Sequence, residues 1–139
     1  MSAEEINIHE DYDLQRSGLS TSQMLNGILR ELDILNWIDA SGIVRRDGIL
    51  LASTMPTNLD VKNACAIMTA TIVGAAKNIT MKCKKGFPKK IIIQAREGDI
   101  VISEAGEKAL LVCLTNTRYD PNVMFDEIER TAQRIDEIL

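Results

Sequence analysis

Histidine is nearly missing from this 139-residue sequence: His9 stands alone in a polar N-terminal stretch. No serine or cysteine lies at a recognisable spacing from it, so a Ser-His-Asp or Cys-His centre has no place to assemble. Cysteine is sparse as well. Cys65, Cys83 and Cys113 are odd in number, widely spaced and set in apolar segments. They form no C-x-x-C or H-x-x-x-H pattern, so neither zinc nor a disulfide is expected, and they read as buried free thiols of a reducing compartment. There is no basic excess: 16 Lys and Arg against 20 Asp and Glu give a net charge of -4. That balance argues against a dedicated nucleic-acid binder. Phosphate-binding loops are lacking too, because neither Gly42 to Gly48 nor Gly98 to Lys108 has the required glycine spacing, so the chain is not itself a GTPase or kinase. No uninterrupted apolar run reaches the roughly twenty residues that span a bilayer, and no basic n-region precedes an apolar h-region at the N-terminus. These absences lead to the expectation of a cytoplasmic, non-enzymatic protein with no cofactor, metal or membrane span.

What is present is enough apolar sequence for one domain with a single core. The stretch from Asp60 to Cys83 organises it. Val61, Ala64, Cys65, Met68, Ile72, Ala75, Ala76 and Ile79 recur at helical spacing, which predicts a stripe packed on a sheet. A second apolar row, Ala66, Ile67, Ala70, Val73 and Gly74, runs along the flank where a one-sided helix would carry charges. Its small residues at spacing four would let two helix backbones approach closely, so a second copy of the chain is the expected partner. Lys62, Asn63, Lys77 and Asn78 supply nearly all the remaining polarity and are candidates for contact with another protein.

The elements on either side follow from turn and cap signals. Residues 1–19, with Glu4, Glu5, Glu10, Asp11 and Asp13, read as a polar arm without its own core. Ser20 and Gln23 have capping-box spacing and open a helix with Met24, Leu25, Ile28, Leu29, Leu32 and Leu35 on one face. Strands are expected over Ala40 to Arg45 and Ile49 to Ala52, joined at Asp47-Gly48 and ended before Pro56. Thr57 with Asp60, or Asn58 alone, can cap the long helix, which stops by Gly86 and Pro88. Lys90 to Arg96, Asp99 to Glu104 and Ala109 to Thr115 read as an antiparallel meander. Asp120 before Pro121 caps a closing helix with Val123, Met124, Ile128, Ala132, Ile135 and Ile138 or Leu139 as its buried stripe.

Two surfaces remain after this accounting. Lys82, Lys84, Lys85, Lys89 and Lys90 cluster around Phe87, a pattern that caps a helix and guards a strand edge but also suits an acidic partner or anionic headgroups. Ile91, Ile92 and Ile93 form an apolar strand of the kind that pairs with another chain. Cys65, Met68 and Trp37 could line a ligand pocket, although core packing explains all three.

The segment from Ile43 to Ser53, IVRRDGILLAS, followed by the alanine-rich helix, resembles the roadblock family, also called the dynein light chain 7 family. The stretch from Glu97 to Thr115, EGDIVISEAGEKALLVCLT, and the final helix fit the same order and spacing, so the resemblance covers 20–139. It implies an α+β domain of the profilin-like kind. Five antiparallel strands form one sheet, with the long helix on one face and the first and last helices on the other. It also implies a homodimer joined through the long helix and the third strands, with Ala66, Ile67, Ala70, Val73, Gly74, Ile91, Ile92 and Ile93 at the interface. Family members regulate or scaffold Ras-like small GTPases, some bacterial ones accelerating GTP hydrolysis on the partner. The function implied is a dimeric regulator that binds a GTPase's switch regions, or else a non-catalytic scaffold or light-chain subunit. Arg45, Arg46, Arg96, Arg118, Arg130 and Arg134 include none whose spacing marks an arginine finger.

Overall fold

The computed structural model describes residues 19–139. His9 and the acids of the polar arm lie outside the described residues. The chain runs α1 (Thr21–Asp33), β1 (Ile38–Arg45), β2 (Leu50–Ser53), α2 (Leu59–Lys82), β3 (Lys90–Ala95), β4 (Gly98–Ala105), β5 (Ala109–Thr115) and α3 (Pro121–Ile138). This is the order the sequence predicts. Ser20 opens α1 by the reciprocal cap: its hydroxyl accepts from the Gln23 amide at 3.1 Å, and the Gln23 side chain accepts from the Ser20 amide at 2.8 Å. Asn58 caps α2 by accepting from the Val61 amide at 2.9 Å, and Asp120 caps α3 ahead of Pro121.

The five strands form one antiparallel sheet in the order β2-β1-β5-β4-β3. β5 is central and pairs with β1 and β4 along its whole length. Its side chains alternate between two cores. Ala109, Leu111 and Cys113 join Leu25, Ile28 and Leu29 of α1 and Met124, Ile128 and Ile135 of α3. Leu110, Val112 and Leu114 join Val44, Ile102 and Ala66 on the opposite face, under α2. One helix on one face and two on the other is the arrangement expected. Burial drives the Cys113 thiol far above its ordinary range, and the charge of Asp33 adds to the effect. Arg134 of α3 reaches Glu31 of α1 at 2.6 Å, bridging the exposed sides of the paired helices.

Two readings of individual side chains need correction. Val123 is exposed, because it precedes Met124 by one residue and is turned roughly 100° from the buried arc. Cys83, read as a buried thiol, is exposed, because it is the C-cap of α2 and lies beyond the packed part of the helix.

The larger correction concerns which side of α2 meets the sheet. Ala66 and Thr69 are buried there, flanked by the half-buried Lys62, Cys65, Ala70, Val73, Ala76 and Thr80. The Thr69 hydroxyl donates to the Cys65 carbonyl at 2.8 Å, so its burial leaves no polar atom unpaired. Most of the row read as the core stripe points away from the sheet: Val61, Ala64, Met68, Ile72, Ala75 and Ile79 are exposed, and only Cys65 and Ala76 of that row are half-buried on the sheet side. Small residues beneath the helix let its backbone lie close to the β1–β2 hairpin. A Cβ added to Gly48 would meet the Ile67 Cα at 3.5 Å. Periodicity identifies two apolar rows but not which faces inward, and the smaller residues are the ones underneath.

Ala66→Glu should cost at least about 3 kcal/mol, since it buries an unpaired charge. Met68→Glu should stay within about 0.5 kcal/mol in dilute protein, since its side chain already faces solvent. Urea titrations of both variants read the difference, and equal costs would overturn the orientation of α2. Gly98 has φ +144, and a Cβ there would sit 2.0 Å from the Thr115 carbonyl oxygen. Gly98→Ala should therefore lower stability by about 2–4 kcal/mol in the same assay.

Candidate interaction surface

Among the described residues, the outer row of α2 is a long apolar stripe left uncovered. Met68 is 55% exposed and Ile79 64% exposed, with Ile67 at 60% beside them. An apolar stripe this long on a surface marks a place where something else packs. Length and composition alone would also admit a membrane-spanning reading of this helix, as they do for many apolar helices that pack on a sheet. As a helix of 24 residues with a mean hydropathy of 1.3 in its most apolar window, α2 is long and apolar enough to cross a membrane. In this fold, however, its small-residue side lies on the sheet.

The residues predicted at a dimer interface divide accordingly. Ala66, at 2% exposure, packs in the sheet-side core. Val73 packs against that core, and Ala70 is half-buried on the same side. These three are occupied within the protomer, because they form the small-residue side on which the helix rests. Ile67 and Gly74 are exposed on its flank. The apolar residues of α2 that the fold leaves uncovered are instead Val61, Ala64, Met68, Ile72, Ala75 and Ile79. Their regular spacing was visible, but it had been assigned to the core.

At the far side of the sheet, β3 pairs with β4 alone, so its outer edge is open among the described residues. Ile91 and Ile93 lean on the core under α2, and Ile92 is exposed. α2 lies over β1 and β2, so Ile91, Ile93, Ile100 and Leu114 on the β3 side of that face are only half-buried. An uncovered helix row, a half-covered sheet face and an unpaired edge thus belong to one side of the molecule.

Of the polar candidates, Asn63, Lys77 and Asn78 are exposed and Lys62 is half-buried on the sheet-facing side. They do not form one patch. The Lys77 ammonium sits 4.9 Å from the centre of the Phe87 ring, at a cleft of about 840 Å³ whose lining includes Arg46, Glu104, Lys108 and Asp136. Two of the cations of that cleft are engaged with the fold: Arg46 donates to the Gly106 carbonyl at 2.7 Å and Lys108 to the Leu139 carbonyl at 3.1 Å. The ligand pocket considered from Trp37, Cys65 and Met68 does not form. Trp37 packs near Tyr119 in the α1–α3 core, Cys65 is half-buried on the sheet side of α2, and Met68 faces outward.

Four of the seven arginines among the described residues are also held within the chain. Arg45 donates twice to the Asp47 carboxylate at 2.8 and 2.7 Å, an interaction that holds Asp47 below the usual carboxylate range. Arg46 is tied to Gly106, Arg130 to Glu127 and Arg134 to Glu31.

Residues 24–115 match the family model of the Roadblock/LC7 domain. An uncharacterized protein of Methanocaldococcus jannaschii is 28% identical over 112 residues, spanning 81% of this chain and 96% of that protein. Among solved structures, Myxococcus xanthus MglB superposes with a TM-score of 0.76 at 16% identity, over 82% of this chain and 93% of its own. An MglB with tetrameric arrangement gives a TM-score of 0.76 at 18% identity, over 85% and 89%. At these identities the structural likeness speaks for the fold. Because the family model covers well over half of its length, the chain belongs to the Roadblock/LC7 domain family.

Proposed function

We propose that this chain is a homodimer that regulates a Ras-like small GTPase without being an enzyme itself. The observation that carries the dimer is the outer row of α2 beside the open edge of β3. Under a two-fold axis each surface meets its own equivalent, so Met68 and Ile72 leave solvent while two five-stranded sheets join at β3. Membership of the Roadblock/LC7 family supports the GTPase as partner, and the tetrameric arrangement of one MglB is a precedent for assembly of this fold. The mechanism is to grip the switch loops and hold them in the arrangement that positions water and stabilises charge in phosphoryl transfer. Engagement of Arg45, Arg46, Arg130 and Arg134 inside the fold favours a second reading, a scaffold that binds the GTPase without accelerating it.

Light scattering on the eluting protein should give a dimer for the unaltered chain. Met68→Lys with Ile72→Lys should give a folded monomer by circular dichroism, and a dimer from that double variant would remove the α2 interface. Single-turnover GTP hydrolysis by a Ras-like GTPase, with and without the chain, separates the two readings. Acceleration supports the regulator, binding without acceleration supports the scaffold, and no binding in either nucleotide state refutes both.

A further inference from the structure

Residues 77–90 hold six lysines, no arginine and no acidic residue, while all 20 Asp and Glu of the chain lie elsewhere. Two of the six are positioned against rings: Lys77 over Phe87 at 4.9 Å and Lys90 over Phe125 at 4.1 Å. The other four, Lys82, Lys84, Lys85 and Lys89, are exposed and take part in none of the ion pairs among the described residues. Apolar side chains are interleaved with them. Phe87 is 64% exposed, and Met81 and Ile79 are exposed on the last turns of α2.

The backbone that displays these groups is well defined. The Lys85 amide donates to the Thr80 carbonyl at 2.8 Å and the Lys84 amide to the Met81 carbonyl at 3.1 Å. These are the two bonds of a Schellman close, with Lys84 at the left-handed position, φ 58. Glycine is the favoured residue there, so this chain keeps a cation where the backbone would be better served by none.

We infer that the end of α2 and the loop leading into β3 form a docking surface for an anionic lipid bilayer. Lys82, Lys84, Lys85 and Lys89 face the headgroups, and Phe87 and Met81 enter the interface. The choice of lipid over an acidic protein rests on the kind of cation. Protein interfaces enrich arginine and deplete lysine, because a fixed partner rewards the planar fork. A fluid anionic surface rewards net positive charge on long, mobile stems, with an aromatic ring at the boundary. The acidic remainder of the surface would be repelled, so the chain would dock in one orientation, by this end of the helix.

The test is co-sedimentation of the full chain with phosphatidylcholine vesicles, with and without phosphatidylserine, at low and high salt. Binding should require phosphatidylserine and fall at high salt. Each Lys→Gln at 82, 85 or 89 should weaken it about fivefold, and Phe87→Ser should weaken it without altering the salt dependence. Lys84→Gly separates this role from simple helix capping, since it should raise the melting temperature while weakening vesicle binding. A fluorophore on the exposed Cys83 should shift to the blue on binding, a readout independent of sedimentation. Absence of binding, binding that ignores phosphatidylserine, or binding that survives replacement of all four lysines would each overturn the assignment. So would loss of a soluble partner's binding in the lysine variants when vesicles of both compositions leave the chain in the supernatant.

Discussion

β5 is buried on both faces, and this double burial is the constraint on which the other elements depend. A strand with Ala109, Leu111 and Cys113 on one side and Leu110, Val112 and Leu114 on the other requires a helical layer above and another below. α1 and α3 meet the first demand with their one-sided stripes, locked by Met124, Ile128 and Ile135. α2 meets the second with small residues, of which Ala66 and Thr69 are fully buried. The two layers differ in completeness. The α1–α3 layer closes over its core, whereas α2 covers the β1–β2 side and leaves the β3 side of its face partly open.

That asymmetry explains why the longest helix of the chain is apolar on two sides. Its inner side is built of small residues that allow close approach to the sheet, and its outer side leaves Met68, Ile72 and Ile79 in solvent. A helix of this composition would be a liability as the surface of a permanent monomer, because an apolar row of several turns invites unspecific contact. Beside it, β3 presents a ladder of unpaired backbone groups over six residues. β2, the other edge, has four residues and ends shortly before Pro56, so it is protected by brevity.

Much of the fold was legible from local signals. Ser20 with Gln23, Asn58, Asp120 with Pro121 and the Asp47-Gly48 turn mark element boundaries by hydrogen bonds that the sequence can specify alone. The strand expected from Ala109 to Thr115 is found with those bounds. The orientation of α2 was not legible. Two apolar rows about 150° apart satisfy the same helical period, and the choice between them depends on how much room the sheet leaves. Gly48 supplies that information only in three dimensions, by the 3.5 Å that a Cβ built on it would leave to the Ile67 Cα. The candidate surface inherited this ambiguity: Ala66, Ala70 and Val73, offered to a partner, lie on the sheet side, while Val61, Ala64, Met68, Ile72, Ala75 and Ile79, offered to the core, are exposed. The lysine cluster was visible as composition, but its lack of ion-pair partners and its exposed Phe87 became apparent only once the loop was placed.

The position of Gly48 also has a mechanical consequence. A Cβ built on it would come to lie 3.5 Å from the Ile67 Cα and 3.8 Å from the Ala70 Cβ, in ordinary van der Waals contact with the helix. The β1–β2 turn and the middle of α2 are therefore about one side-chain carbon apart, and any side chain longer than alanine's at position 48 would press on the helix.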